Sequence, residues 1–139
     1  MTIRLLDLGR VSPVRSQTVY HAAAYAMRPD APDTIILVSP DRPYVSIGYH
    51  QDAAAEVDLA HCREHGLPVI RREVGGGAVY LDDGQVFVQW VFRQGRLPAD
   101  LTERFSLYIR PLGIPDGYFK IFLRYIALIF CFLNCLPDC

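Results

Sequence analysis

Short apolar stretches punctuated by proline, glycine and aspartate run through most of the chain, and their spacing predicts alternating strands and helices. Residues 3–8 are an apolar run fit for an opening strand. Ser12-Pro13 follows, a capping hydroxyl ahead of a proline at the first helical position. Residues 14–27 (VRSQTVYHAAAYAM) therefore read as a helix, closed by Arg28-Pro29. Residues 34–39 (TIILVS) are continuously apolar between Pro32 and Pro40, the pattern of a buried strand. Residues 44–49 (YVSIGY) alternate as a second strand, with Gly48 marking a bend or a close approach of another backbone. Asp58 is placed to cap a helix over residues 59–65, with Gly66 at its C-terminal end. Residues 67–72 and 78–81 read as extended segments on either side of three glycines. Asp82-Asp83-Gly84 predicts a hairpin into a strand over residues 85–92 (QVFVQWVF). Residues 98–112 carry apolar positions along one broad helical face. The sum is an α+β fold, a mixed or antiparallel sheet with helices packed on one face.

With 139 residues the chain has room for one domain. Its 51% hydrophobic and 21% charged residues exclude a disordered or collagen-like chain. A formal net charge of −1 gives no basic field, so nucleic acid is not an expected partner. No long apolar run follows the first residues, which points away from a secretory signal and towards the cytoplasm. The basic residues are arginines except for Lys120, and the composition changes abruptly near Gly117. Residues 1–117 are expected to be the domain proper and residues 118–139 an apolar, atypical tail. That tail has three readings. It is marginal as a membrane segment, because Lys120 and Arg124 interrupt it and a spanning helix needs about 20 apolar residues. Cys131, Cys135 and Cys139 would align along one helical face. The favoured reading is a foreign ending on a domain that is incomplete at its C-terminus.

The chemically informative stretch is RREVGGGAVYLD, residues 71–82. Gly75, Gly76 and Gly77 bare the main chain, and such a run can wrap an anion with N–H groups. Arg71 and Arg72 add planar donors suited to carboxylate or phosphate oxygens. A strand rather than a helix follows the glycines, which argues against the Walker A loop and the dinucleotide fingerprint. The plain alternative is a tight bend beside solvated arginines. His61, Cys62 and His65 share a helix, but no CxxC pair supports them and no metal site is assigned. Cys62 reads as a core or edge residue. His50 is placed either along an acyl pocket or on the surface, and the turn accounts for Asp82 and Asp83 without a metal.

Residues 45–51 (VSIGYHQ), 56–72 (EVDLAHCREHGLPVIRR) and 75–85 (GGGAVYLDDGQ) carry a resemblance. They are similar to the lipoate–protein ligase A family, within the biotin/lipoate ligase and octanoyltransferase superfamily. The resemblance implies a biotin/lipoate ligase-like catalytic domain. It also implies ATP and Mg²⁺ as co-substrates, lipoate as substrate, and a lipoyl-adenylate intermediate whose acyl group passes to a carrier lysine. The implied partners are lipoyl carrier domains of 2-oxoacid dehydrogenase complexes or a glycine cleavage H-type protein, with a separate accessory chain as a further candidate. By position, Arg72 would meet the phosphate or carboxylate side of the adenylate. Gly75, Gly76, Gly77, Ala78, Val79 and Tyr80 would line its pocket, and Gly48 would let the acyl tail come close. The family's adenylate-gripping lysine has no counterpart in residues 1–117, so no catalytic residue is assigned. Carrier-to-protein octanoyl transfer, or a non-catalytic ligase-like fragment, is the alternative.

Overall fold

The buried strand expected at TIILVS is an interior strand of its sheet, flanked on both edges. A computed structural model describes residues 2–92, Asp100 and Glu103, and the backbone of residues 126–132. The elements are β1 (Ile3–Val11), α1 (Pro13–Tyr25), β2 (Asp33–Pro40), β3 (Tyr44–Ile47), α2 (Ala53–Glu56), α3 (Leu59–Glu64), β4 (Val69–Arg71), β5 (Val79–Leu81), β6 (Val86–Phe92) and β7 (Ile126–Phe132). Among the described residues they form two sheets rather than one. A four-stranded sheet runs β1-β2-β6-β7 and a three-stranded sheet runs β4-β3-β5. Both are mixed, since β1–β2, β6–β7 and β3–β4 pair in parallel while β2–β6 and β3–β5 pair antiparallel.

The division into two sheets corrects the expected hairpin. β5 pairs with β3 and β6 pairs with β2, so Asp82-Asp83-Gly84 carries the chain from one sheet to the other. The turn chemistry is nevertheless local. Asp82 Oδ1 accepts from the Gly84 N–H at 3.0 Å, and the Asp82 carbonyl accepts from the Gln85 N–H at 3.2 Å. A turn signal reports that the chain reverses, and it says nothing about which partner each flanking strand takes. The other edge of β6 is occupied by β7, from the apolar segment, with Val86 opposite Ile126 and Phe92 opposite Phe132. The helix expected over residues 98–112 lies outside the described residues, save that Asp100 Oδ1 accepts from the Glu103 N–H at 2.9 Å.

Capping residues set the helix ends as expected. Ser12 Oγ accepts from the Arg15 N–H, and Asp58 Oδ1 from the Ala60 and His61 N–H groups at 3.0 and 2.9 Å. Those N–H groups hold the Asp58 carboxyl below the usual carboxylate range, the His61 bond being the larger cause. Gly66 adopts φ 61° just beyond α3, the left-handed conformation that ends a helix. α2 is a four-residue helix capped by Asp52, too short for any periodicity to announce it.

Packing arranges these pieces in layers. Val11, Val38, Tyr44, Leu81 and Phe87 fill the space between the two sheets. Beside them α1 lays Tyr20 and Ala24 on Ile36 of β2 and Val91 of β6. On the far side of β3, Val45 and Ile47 pack with Cys62 of α3. β3 is thus buried on both faces, with Tyr44 and Ser46 turned towards α1 and the larger sheet. That inner layer is unusually polar. Gln17 Nε2 donates to the Tyr44 hydroxyl at 2.6 Å, Ser16 Oγ lies 2.9 Å from the same oxygen, and Gln89 Nε2 donates to the Ser16 carbonyl at 2.7 Å. Burial pushes the Tyr44 phenol up, against the opposing effect of Ser16, Gln17 and Arg72. Among the described residues no helix is long and apolar enough to cross a membrane.

The Tyr44 hydroxyl therefore joins α1 to the smaller sheet. Tyr44→Phe deletes it and leaves the buried Gln17 amide short of an acceptor, an expected loss of about 1–3 kcal/mol. Denaturant unfolding of the two proteins checks this, and an unchanged midpoint contradicts it.

Candidate functional site

The two arginines of RREVGGG are attached to β4, which aims them in opposite directions because successive side chains of a strand alternate. Arg71 Nη1 donates to the carbonyls of Gly48, Tyr49 and Gln51 at 3.0, 2.8 and 2.6 Å. It holds the turn that follows β3. Arg72 holds the glycines themselves. Its Nε and Nη2 donate to the Gly75 carbonyl at 3.3 and 3.0 Å, and Nη2 donates also to the Gly77 carbonyl at 2.8 Å. Nη1 reaches back to the Ser46 carbonyl at 3.1 Å. Burial lowers the Arg72 pKa, opposed by Tyr20 and Tyr44, and the guanidinium stays charged.

This engagement orients the loop. The Val74 carbonyl accepts from the Tyr49 N–H at 3.1 Å, the Gly75 and Gly77 carbonyls accept from Arg72, and the Gly76 carbonyl lies against Gly48. Every described peptide is trans, so the N–H following each carbonyl points the opposite way. With the carbonyls turned inward, the N–H groups of Gly75, Gly76 and Gly77 face outward. Among the described residues they donate no hydrogen bond. Gly76 has φ 101°, a conformation closed to most side chains, and all three glycines are exposed. The close approach expected at Gly48 is therefore to the Gly76 main chain.

Downstream of the loop, Ala78, Val79 and Tyr80 form one wall of a cleft of about 400 Å³ whose other wall includes Val57, Cys62 and Leu67. Six of the seven residues expected to bind ligand therefore run consecutively from an exposed loop into a mainly apolar cleft, which Glu56, Asp58 and His61 also line. The seventh, Arg72, lies behind that loop. The remaining candidates stand apart. His50 is exposed, its ring edge-on to Tyr49 at 4.9 Å between centroids. His61 and His65 stack at 4.0 Å, and Cys62 is buried in the core beneath them. Among the described residues no group of three or more His, Cys, Asp or Glu side chains converges as a metal centre would. Asp83 pairs with Arg10 at 3.2 Å on the surface.

Two residues escaped the sequence reading. His21, on the buried face of α1, places Nδ1 3.4 Å from Glu73 Oε2, and Glu73 directly precedes Val74 and the glycines. Burial lowers the His21 pKa, with Glu73 partly offsetting it. Ser46 is buried on β3 and receives Arg72. Neither carries a local signal, because the partners lie far along the chain.

Residues 15–113 match the lipoyl protein ligase A/B catalytic domain. The chain belongs to that family. Among its relatives, an octanoyltransferase LipM of Kyrpidia tusciae is 36% identical over 128 residues, covering 85% of this chain and 46% of the relative. A crystal structure of lipoate–protein ligase A bound with ATP superposes with a TM-score of 0.57 at 32% identity, over 62% of this chain and 35% of that one. The bi-partite lipoate protein ligase of Thermoplasma acidophilum, studied with its E2 lipoyl domain, gives 0.55 at 33% identity, over 62% and 34%. The family thus includes ligases and octanoyltransferases, both acyl-transfer enzymes, and the fold is that of a lipoate ligase catalytic domain. This chain spans less than half the length of the curated relatives it matches.

A side chain at position 48 tests the loop geometry. In Gly48→Ala the new methyl group meets the O, C and N atoms of Gly76, all main chain rather than a flexible side chain. The expected cost is about 1–3 kcal/mol in denaturant unfolding. Shifted amide resonances at residues 75–77 should accompany it, and wild-type stability with unmoved resonances contradicts the packing.

Proposed function

We propose that this domain activates lipoate with ATP and passes the lipoyl group to a lysine of a lipoyl carrier domain. The chemistry has one central difficulty, that a carboxylate is a poor electrophile. Attack of the lipoate carboxylate on the α-phosphate of ATP forms lipoyl-adenylate and releases pyrophosphate. The carrier amine then attacks the acyl carbon, and AMP leaves. The protein's part is to hold the anions in register and to keep water from the mixed anhydride.

The observation that carries the reading is the orientation of the loop. Its carbonyls are held inward, and the N–H groups of Gly75, Gly76 and Gly77, which donate to no described residue, would receive an adenylate phosphate. The Arg72 charge lies directly behind them and strengthens the field while leaving the front open. The cleft walled by Ala78, Val79 and Tyr80 suits an apolar acyl chain. The described residues offer no carboxylate cluster for Mg²⁺, so the ion would be held chiefly by the ATP phosphates. The division into a catalytic part, residues 1–117, and a tail, residues 118–139, belongs to the same reading. So do carrier domains of 2-oxoacid dehydrogenase complexes or an H-type protein as acceptors, and an accessory chain, for which the bi-partite Thermoplasma ligase is a precedent.

A second reading, ATP-independent octanoyl transfer between carriers, is favoured by the length of the alignment with the octanoyltransferase. One assay divides the two. Incubated with lipoate, ATP and a lipoyl carrier domain, the chain should lipoylate the carrier only when ATP is present. Transfer from an octanoylated carrier without ATP replaces the first reading with the second. Calorimetry with a non-hydrolysable lipoyl-adenylate analogue should show Arg72→Ala binding at least about tenfold more weakly, roughly 1.4 kcal/mol. Equal affinity removes the loop from the site.

A further inference from the structure

The imidazole of His21 is a buried polar group that the ligand-binding reading leaves unused. Its side chain is 8% exposed, in the polar layer between α1 and the sheets. Its ring lies 4.0 Å from that of Tyr20, centroid to centroid, at a tilt of 37°. Among the described residues neither ring nitrogen has a well-aligned hydrogen-bond partner, the 3.4 Å approach of Glu73 Oε2 to Nδ1 being its polar contact, and a buried polar group left so is costly. Among the described residues the charged group it meets is Glu73, whose side chain is 57% exposed.

Glu73 occupies a sensitive place in the chain. Arg72, immediately before it, ties Gly75 and Gly77 to β3 through Ser46. Between that brace and the glycines, Glu73 reaches His21 of α1. A loop tied from one side pivots about its tether. A loop tied to two different elements has its main-chain direction fixed.

We propose that His21 is a positioning residue for the triglycine loop, acting through Glu73 to fix the N–H groups that face the ligand. The proposal rests on the assignment of that loop as the anion site. It does not require His21 to touch substrate. It makes an unusual demand on stability. An apolar ring in place of the imidazole should leave the fold as stable or more so, because a buried polar group is removed, while the loop loses its second tether.

The experiment uses the full chain and compares wild type with His21→Phe, Glu73→Ala and Glu73→Gln. Glu73 is at the surface, so its variants fold whatever becomes of His21→Phe. Backbone ¹⁵N relaxation at Gly75, Gly76 and Gly77 is the first readout. Order parameters near the rigid value of about 0.85 are expected in wild type, falling below about 0.6 in His21→Phe and Glu73→Ala. Glu73→Gln, which keeps a polar oxygen at the same reach against the imidazole, should retain most of the order. Affinity for the lipoyl-adenylate analogue is the second readout, with a loss of about tenfold in the two loosened variants and an unchanged thermal midpoint. Unaltered order parameters in both variants overturn the proposal, as does a loosened loop that binds the analogue with wild-type affinity. If wild type itself binds no analogue, the functional reading has failed, and the relaxation data alone then decide whether His21 positions the loop.

Discussion

The contact between one guanidinium and the carbonyl groups of its own downstream loop governs this site. A peptide unit has two ends, and binding one end inward presents the other outward. Arg72 takes the carbonyl ends at Gly75 and Gly77, and Gly48 has no side chain to keep the Gly76 carbonyl away. What remains on the outside is a short row of N–H groups backed by a positive charge. Arginine suits this task because its planar fork meets several oxygens at once and keeps its charge under burial, whereas a lysine would offer a single point. On the proposed reading that charge would favour an anion without standing in its way.

The scaffold explains why that arrangement holds. β3 is covered on both faces, by the Cys62 core on one and by the Tyr44 layer on the other, so the strand that receives Arg72 is fixed from two sides. The polar seam of Ser16, Gln17, Tyr44 and Gln89 sets the position of α1 against both sheets through directional bonds, which apolar packing alone would specify less tightly. Arg71 does the same for the turn at Gly48. The exposed loop is therefore surrounded by backbone that has little freedom, which is the condition for donors to meet a ligand without reorganising.

What could be read from the residues divides along local and distant lines. The Ser12-Pro13 start of α1, the Asp58 and Gly66 ends of α3 and the buried β2 depend on neighbours in the chain, and each stands where its pattern placed it. The triple glycine and the arginines are likewise local, and so was the family resemblance they carry. The split into two sheets was not legible, because the Asp82-Asp83-Gly84 turn looks the same whether its strands pair with each other or with strands elsewhere. The destination of Arg72 was also hidden. Sequence shows a charge beside glycines, and only the course of β3 and β4 shows that the charge points at the loop from behind. The meeting of His21 with Glu73 depends on the same packing.

The account stands on the outward N–H groups of the triglycine loop. A ¹H–¹⁵N correlation titration of the full chain with the lipoyl-adenylate analogue tests them directly. The account predicts saturable shifts concentrated at the amides of Gly75, Gly76 and Gly77, with the residues along the Ala78 to Tyr80 wall following. Saturable binding that leaves those three amides unmoved while resonances shift elsewhere would contradict it.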